Sequence, residues 1–292
     1  MAKTKYVDKK FQKKTMDFID LINRILADEG DSMTVRQLHY ALVSAGHIEN
    51  TRNEYSRVCN TVNDARMAGL IDWEAIEDRT RWVRCNAHWE NPKEAVLDTA
   101  RQYMTDWRAT QPIYVECWIE KDALIGVLEP LRAEYDVPVF SCRGYPSSTA
   151  LRDAAFRLRG QTHRENRVIL YGGDFDPSGL DITRSIQDTL RTFGAYADVR
   201  RVGLTWEQIQ QYNPPPCFAK DSDKRSAKYK TLFGDKSWEL DALGTRVLRE
   251  IYRDHIIALT DFELIRAAQE HDREGVYQLS AIHNSWDRLF QS

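Results

Sequence analysis

Residues 167–183 read RVILYGGDFDPSGLDIT. An apolar run stops at Gly172 and Gly173, and two aspartates follow with only Phe175 between them. Two uncompensated carboxylates beside a buried strand are expensive, so the stretch demands a counter-charge. Outward from it, strand-like and helix-like segments alternate. IYVECWI (113–119) precedes a helical pattern over 122–135, and VPVFSC (137–142) precedes TALRDAAFRLRG (149–160). VILYGG (168–173) precedes LDITRSIQDTLRTFG (180–194), and DVRRVGL (198–204) follows. This rhythm predicts an α/β fold, a mostly parallel sheet with helices on both faces, and the remainder from Trp206 reads as a mostly helical C-terminal part.

In open α/β sheets functional groups gather beyond the C-terminal strand ends. Glu120 stands at one such end, and Asp174 and Asp176 at another. Three converging carboxylates form a hard, oxygen-only site that suits Mg²⁺ better than zinc. Gly172, Gly173 and Gly179 permit tight backbone paths and close approach by a ligand. Two rival readings stand beside this one. D-F-D-P-S-G matches the first half of an EF-hand calcium loop, but Ser185 occupies the position of the bidentate glutamate and a strand precedes the loop. The aspartates could instead cap the following helix, although one suffices for that.

Upstream, apolar residues at helical spacing in 11–29 end at Gly30, and the capping-box patterns Thr34–Gln37 and Thr51–Glu54 open two further helices. LIDWEAIEDRTRWVR (70–84) reads as two short strands around a turn. Three helices and a hairpin outline a winged helix-turn-helix, whose third helix would present Arg52, Arg57, Asn60, Asn63 and Arg66 to DNA. The expected organisation is a winged-helix domain over 1–90, a connecting helix within 91–111, and the sheet domain with its helical extension over 112–292.

Hydrophobic content of 42% with 29% charged residues is that of a globular protein able to bury a core. No apolar run reaches the length of a membrane span, and the basic start is followed by an amphipathic segment, not a signal-peptide core. Five scattered cysteines without metal spacing point to a reducing, cytoplasmic setting with free thiols and no structural zinc. The net charge of −3 does not advertise nucleic-acid binding, yet residues 143–167 and 220–230 are locally basic. Arg143, Lys220, Lys224 and Arg225 are therefore candidate phosphate contacts, with solvated surface as the alternative.

The order E-K-D-A (120–123), R-G-Y-P-S-S-T-A-L-R (143–152) and G-D-F-D-P-S-G (173–179) resembles the Toprim domain. More specifically, it resembles the form in the topoisomerase VI A subunit and the related transesterase that makes meiotic double-strand breaks. T-V-R-Q-L-H-Y (34–40) matches that family's tyrosine setting at Arg36 and Tyr40, with His39 where an aromatic is usual. A helical wheel gathers Val35, Leu38, Ala41, Leu42 and Ala45 on one side and leaves Tyr40 nearly opposite, beside Arg36. The resemblance implies Mg²⁺ on Glu120, Asp174 and Asp176, Glu120 also taking part in catalysis, and Tyr40 attacking double-stranded DNA to form a 5′-phosphotyrosyl link. It also implies a homodimer in which one subunit's tyrosine faces the other's metal site. The sequence contains no Walker A pattern, so either a separate ATPase subunit exists or this is a small stand-alone A-subunit-like protein. A Toprim nuclease using water, with Tyr40 idle, and a non-catalytic DNA-binding module remain the alternatives.

Overall fold

The structure is a computed structural model that describes residues 3–30, 32–77, 85–218 and 226–290. Helices α1 (Lys13–Glu29), α2 (Val35–Ser44) and α3 (Arg52–Met67) form where the sequence pattern expects them. Thr34 and Gln37 complete a reciprocal capping box, while Thr51 accepts from the Glu54 amide without the return bond. Their apolar faces meet in one core containing Ile19, Ile22, Leu38, Leu42, Val58 and Val62. Among the described residues, the first half of the expected hairpin does not form a strand. Ile76 makes one parallel bridge to Met33, and residues 70–77 form no strand. Asp72 turns the backbone there by accepting from the Glu74 amide, which interrupts any ladder. The second half of that hairpin, 78–84, lies outside the described residues.

Helix α4 (Pro92–Gln102) is shorter than the expected connector. The chain after it is fixed by side chains instead of helical hydrogen bonds. Asp272, 6% exposed, accepts from the Thr105 amide at 3.1 Å, its hydroxyl at 2.6 Å and the Trp107 indole at 2.5 Å. Burial works against the Asp272 charge, but these bonds hold its carboxyl below the usual range. A depressed folded-state pKa stabilises above the unfolded value, and that stability is lost as pH falls through the folded value. Asp272→Ala is therefore expected to cost about 3 kcal/mol at pH 7, with the gap to wild type narrowing below about pH 4, in urea melts across that range.

Strand β1 (Ile113–Ile119) is followed by a 3₁₀ turn, helix α5 (Ile125–Tyr135), β2 (Val139–Ser141), α6 (Ser148–Gly160), β3 (Asn166–Gly172), α7 (Pro177–Thr192) and β4 (Asp198–Gly203). The four strands are parallel in the order β2-β1-β3-β4. Val115, Cys117 and Ile119 of β1 face one core with Val127, Leu128 and Leu131 of α5. Trp118 faces the other with Leu151 and Leu158 of α6 and Ile182 and Ile186 of α7. On that second face Glu116 is 1% exposed, and it is satisfied by Tyr114, Trp118 and a two-point contact from Arg157. Arg164 likewise turns inward, donating to the Arg108 and Gln111 carbonyls. Part of the basic run at 143–167 is thus structural and not a surface for a polyanion.

Beyond the sheet come α8 (Trp206–Tyr212), β5 (Cys217–Phe218), α9 (Ser226–Phe233), β6 (Lys236–Ser237), α10 (Thr245–Ala258), α11 (Phe262–Asn284) and α12 (Trp286–Phe290), a mostly helical extension as expected. Helix α10 closes the first sheet face with Leu248, Tyr252 and Ile256. Among the described residues no helix is long and apolar enough to cross a membrane.

Candidate active site

Register builds the site. Ile119 pairs with Ser141 and Gly172, and Gly172 with Gly203, so the strands end level and their following residues share one edge. The Glu120 amide donates to the Gly172 carbonyl at 2.8 Å, and Glu120 Oε2 accepts from the Asp174 amide at 2.9 Å. The Asp loop passes so close to its surroundings that only glycine fits twice. A Cβ on Gly173 would sit 2.6 Å from Glu120 Oε2, and one on Gly179 would sit 2.1 Å from the Asp174 carbonyl. The glycines expected to admit a ligand admit the protein's own chain.

The counter-charge that the aspartates demand comes from the protein. Lys121 Nζ lies 3.1 Å from Asp174 Oδ1 and 2.8 Å from Glu239 Oε2, and it also pairs with Asp241. The Leu240 amide donates to the same Asp174 oxygen at 2.8 Å. From beneath, the Arg201 guanidinium donates to the carbonyls of Gly173, Asp174, Gly179 and Leu204, laying positive charge under the loop. Asp176 caps α7, accepting from the Gly179 amide. Burial pushes Asp174 up to about 7; Lys121 opposes the rise, and Glu120 and Asp241 add to it. Glu120 is also raised, by burial first and by the Asp176 charge, although the Asp174 amide opposes.

Sequence reasoning places three acids around one ion. Here Asp174 turns to Lys121 and Leu240, Glu120 accepts from the Asp174 amide, and Asp176 caps α7; among the described residues neither Glu120 nor Asp176 makes an ion pair. Among the described residues no three His, Cys, Asp or Glu side chains are grouped to hold a metal. Carboxylate oxygens such as those of Glu120 and Asp176 are the hard donors that magnesium takes, with water and phosphate able to supply the rest of its shell. Arg143 stands on its rim, in left-handed conformation (φ 54°), paired with Asp122 at 3.0 Å and next to Gly144, whose amide donates to the Glu120 carbonyl. Tyr145 reaches from this turn to Asp181 of α7 at 3.0 Å, tying the G-Y-P segment to the Asp loop.

Tyr40 is not the exposed residue that the wheel suggests. It is 5% exposed, because the second face of α2 packs against Cys217, Glu239 and Thr245. Gln37 donates to Thr245 at 2.8 Å, Arg36 to Glu239 at 2.7 Å, and the Tyr40 hydroxyl lies 3.8 Å from Cys217 Sγ. Burial and the Glu239 charge push the phenol above its usual pKa. A polar helix face can thus be an interface between halves of the chain as well as a solvated surface. Tyr40 still lines a cleft of about 420 Å³ with Arg36, Asn50, Arg52, Tyr55 and Glu239.

On α3, Arg52, Arg57, Asn60 and Asn63 are exposed, although Arg57 pairs with Glu54 and lies over Phe18. Arg66 folds over Trp73 and donates to its carbonyl, so it is not presented outward. Lys220, Lys224 and Arg225 lie outside the described residues. Sequence reasoning gave no role to Lys121, Arg201, Glu239 or Asp241. Lys121 directly follows a predicted ligand, and a charged Arg201 near the end of a predicted sheet strand was a signal. The two acids of W-E-L-D-A-L were hidden within an apolar pattern. No protein family, curated protein or solved structure matches the chain.

Proposed function

We propose that the chain is a Mg²⁺-dependent DNA-binding and DNA-cleaving protein of the topoisomerase VI A-subunit type. In this reading a winged-helix-like domain and a Toprim-type domain act together as a homodimer on double-stranded DNA. The observation that carries it is the Asp loop folded onto Glu120 at one strand-end edge through the Asp174 amide, with Asp174 neutralised by Lys121 and the loop braced by Arg201. Glu120 and Asp176 would hold the ion, which supplies neutralisation of phosphate charge and of the leaving 3′ oxygen when bound. The chain's own groups orient the site. Gly173 and Gly179 let the loop close on Glu120, the Asp176 cap fixes its carboxylate on α7, and Arg143 stands where it can meet a DNA phosphate.

Two nucleophiles are open to this site. Water is favoured by the burial of Tyr40 and by its raised phenol pKa, which disfavour the phenol as nucleophile in the closed single chain. Tyrosyl transfer is favoured by Tyr40 and Arg36 lining one cleft. There the phenol oxygen bonds to phosphorus as the P–O3′ bond breaks, and the proton lost by the phenol is balanced by one taken up from solvent by the leaving 3′ oxygen, once the two halves part or a second subunit engages. The test is incubation with supercoiled plasmid and Mg²⁺, an SDS quench, and comparison with and without protease, for wild type and Tyr40→Phe. Protein-linked breaks that vanish in Tyr40→Phe assign the tyrosyl route, and protein-free breaks that survive it assign hydrolysis. No breaks of either kind, with DNA binding intact, leave a binding module and end the enzymatic reading.

A further inference from the structure

We infer that Glu239 is an internal competitor for phosphate: it occupies Arg36 in the free chain and yields it when a nucleic-acid phosphate enters the cleft beside Tyr40. The inference deepens the DNA reading and rests on it for the source of the phosphate. Glu239 Oε2 receives both the Arg36 guanidinium, at 2.7 Å, and the Lys121 ammonium, at 2.8 Å. One carboxylate oxygen shared by two cations can release one and remain paired, so losing Arg36 does not strand a buried charge. Arg36 is the more accessible cation, with 48% of its side chain exposed against 22% for Lys121, and its guanidinium lies 5.7 Å from the centre of the Tyr55 ring.

The same cleft holds Arg52, exposed and with no ion pair among the described residues. Two guanidinium groups and the protonated Tyr40 hydroxyl offer donors to an anion, and among the described residues Glu239 is the one carboxylate that lines the cleft. One wall is His39, 3% exposed, whose Nδ1 has no partner among the described residues. Its ring lies edge-on to Tyr40 at 5.6 Å and to Tyr55 at 5.4 Å, which holds both tyrosines in place. A phosphate makes two-point contacts with guanidinium at least as well as a carboxylate does, so the exchange is between like partners. In the free chain the arrangement keeps Tyr40 protonated and beside a negative charge.

The test is a thermodynamic cycle on the full chain. Binding of a fluorescent double-stranded oligonucleotide is followed by anisotropy in EDTA across a salt series, for wild type, Arg36→Ala, Glu239→Gln and the double variant. Glu239→Gln is expected to tighten binding about fivefold, a typical coupling between sites. Arg36→Ala is expected to weaken binding and flatten the log–log salt slope by about 0.9, the value of one phosphate contact. In the Arg36→Ala background Glu239→Gln should have no effect. A missing gain, or a gain that persists without Arg36, overturns the proposal. Arg52→Ala, on the surface and outside the Glu239 pairs, provides a variant whose folding is not at stake. It should weaken binding about threefold, within the range for one exposed charge, and unchanged affinity counts against the cleft. Pyrophosphate, followed by its effect on the melting temperature, separates the two readings. The same Arg36–Glu239 cycle with pyrophosphate but no DNA binding keeps the site and removes the DNA reading. DNA binding indifferent to Arg36, Arg52 and Glu239 does the reverse.

Discussion

Replacing Lys121 by Met is expected to destabilise the fold by about 4 kcal/mol near pH 8, the cost of removing one partner from a buried charge group. Lys121 touches Asp174, Glu239 and Asp241, of which Asp241 is 5% exposed. Burial alone would discharge the ammonium, but the three acids raise its pKa above that of a free lysine. Without it, Glu239 keeps Arg36 and Asp174 keeps the Leu240 amide, while Asp241 loses its ion pair.

The loss should depend on pH, with a sign that follows from the acids. Asp174 already stands at about 7, above its unfolded value, so ionising it opposes folding, and stability falls as pH rises from about 4 to about 7. Deleting the lysine removes the group that opposes the rise of Asp174, extending that penalty upward in pH. The deficit of Lys121→Met should therefore shrink towards pH 5, where protonation replaces the missing cation. Urea melts of both proteins at pH 5 and pH 8 measure it. A deficit equal at the two values, or below about 1 kcal/mol, would show that solvent already screens the cluster.

The same cluster shows what the sequence could and could not disclose. The parallel sheet was legible because β1, β3 and β4 alternate with amphipathic helices, and the level strand ends follow from that register. That the Asp loop would lie against Glu120 was legible for the same reason. The acids' division of labour was not. It depends on Glu239, Leu240 and Asp241, which a bridge between Phe175 and Trp238 brings against the Asp loop from more than sixty residues away. Tyr40 failed similarly. Its wheel position is as computed from 100° per residue, but periodicity tells which residues share a face and not what covers that face. The connector after α4 was misread because a carboxylate, Asp272, does the work of helical hydrogen bonds from across the chain.

Removing either carboxylate of the Glu120–Asp176 pair is expected to reduce Mg²⁺-dependent DNA cleavage by about 10³-fold, about 4 kcal/mol of transition-state stabilisation. Glu120→Gln and Asp176→Asn are the informative substitutions, because each keeps a structural bond. A glutamine oxygen still accepts from the Asp174 amide, and asparagine still caps α7 by accepting from Gly179. Melting temperatures close to wild type would then assign the lost activity to charge and not to unfolding. Asp174→Asn is the contrast. Its carboxylate faces Lys121 and Leu240, so its loss should act on stability and leave more activity than either member of the pair retains. Isothermal titration of Mg²⁺ should follow the same order, weakest for Glu120→Gln and Asp176→Asn. Wild-type cleavage by either of those two variants would remove the metal site, and with it the enzymatic reading of this fold. Equal losses at all three acids would instead mean that Asp174 leaves Lys121 for the ion when DNA is bound.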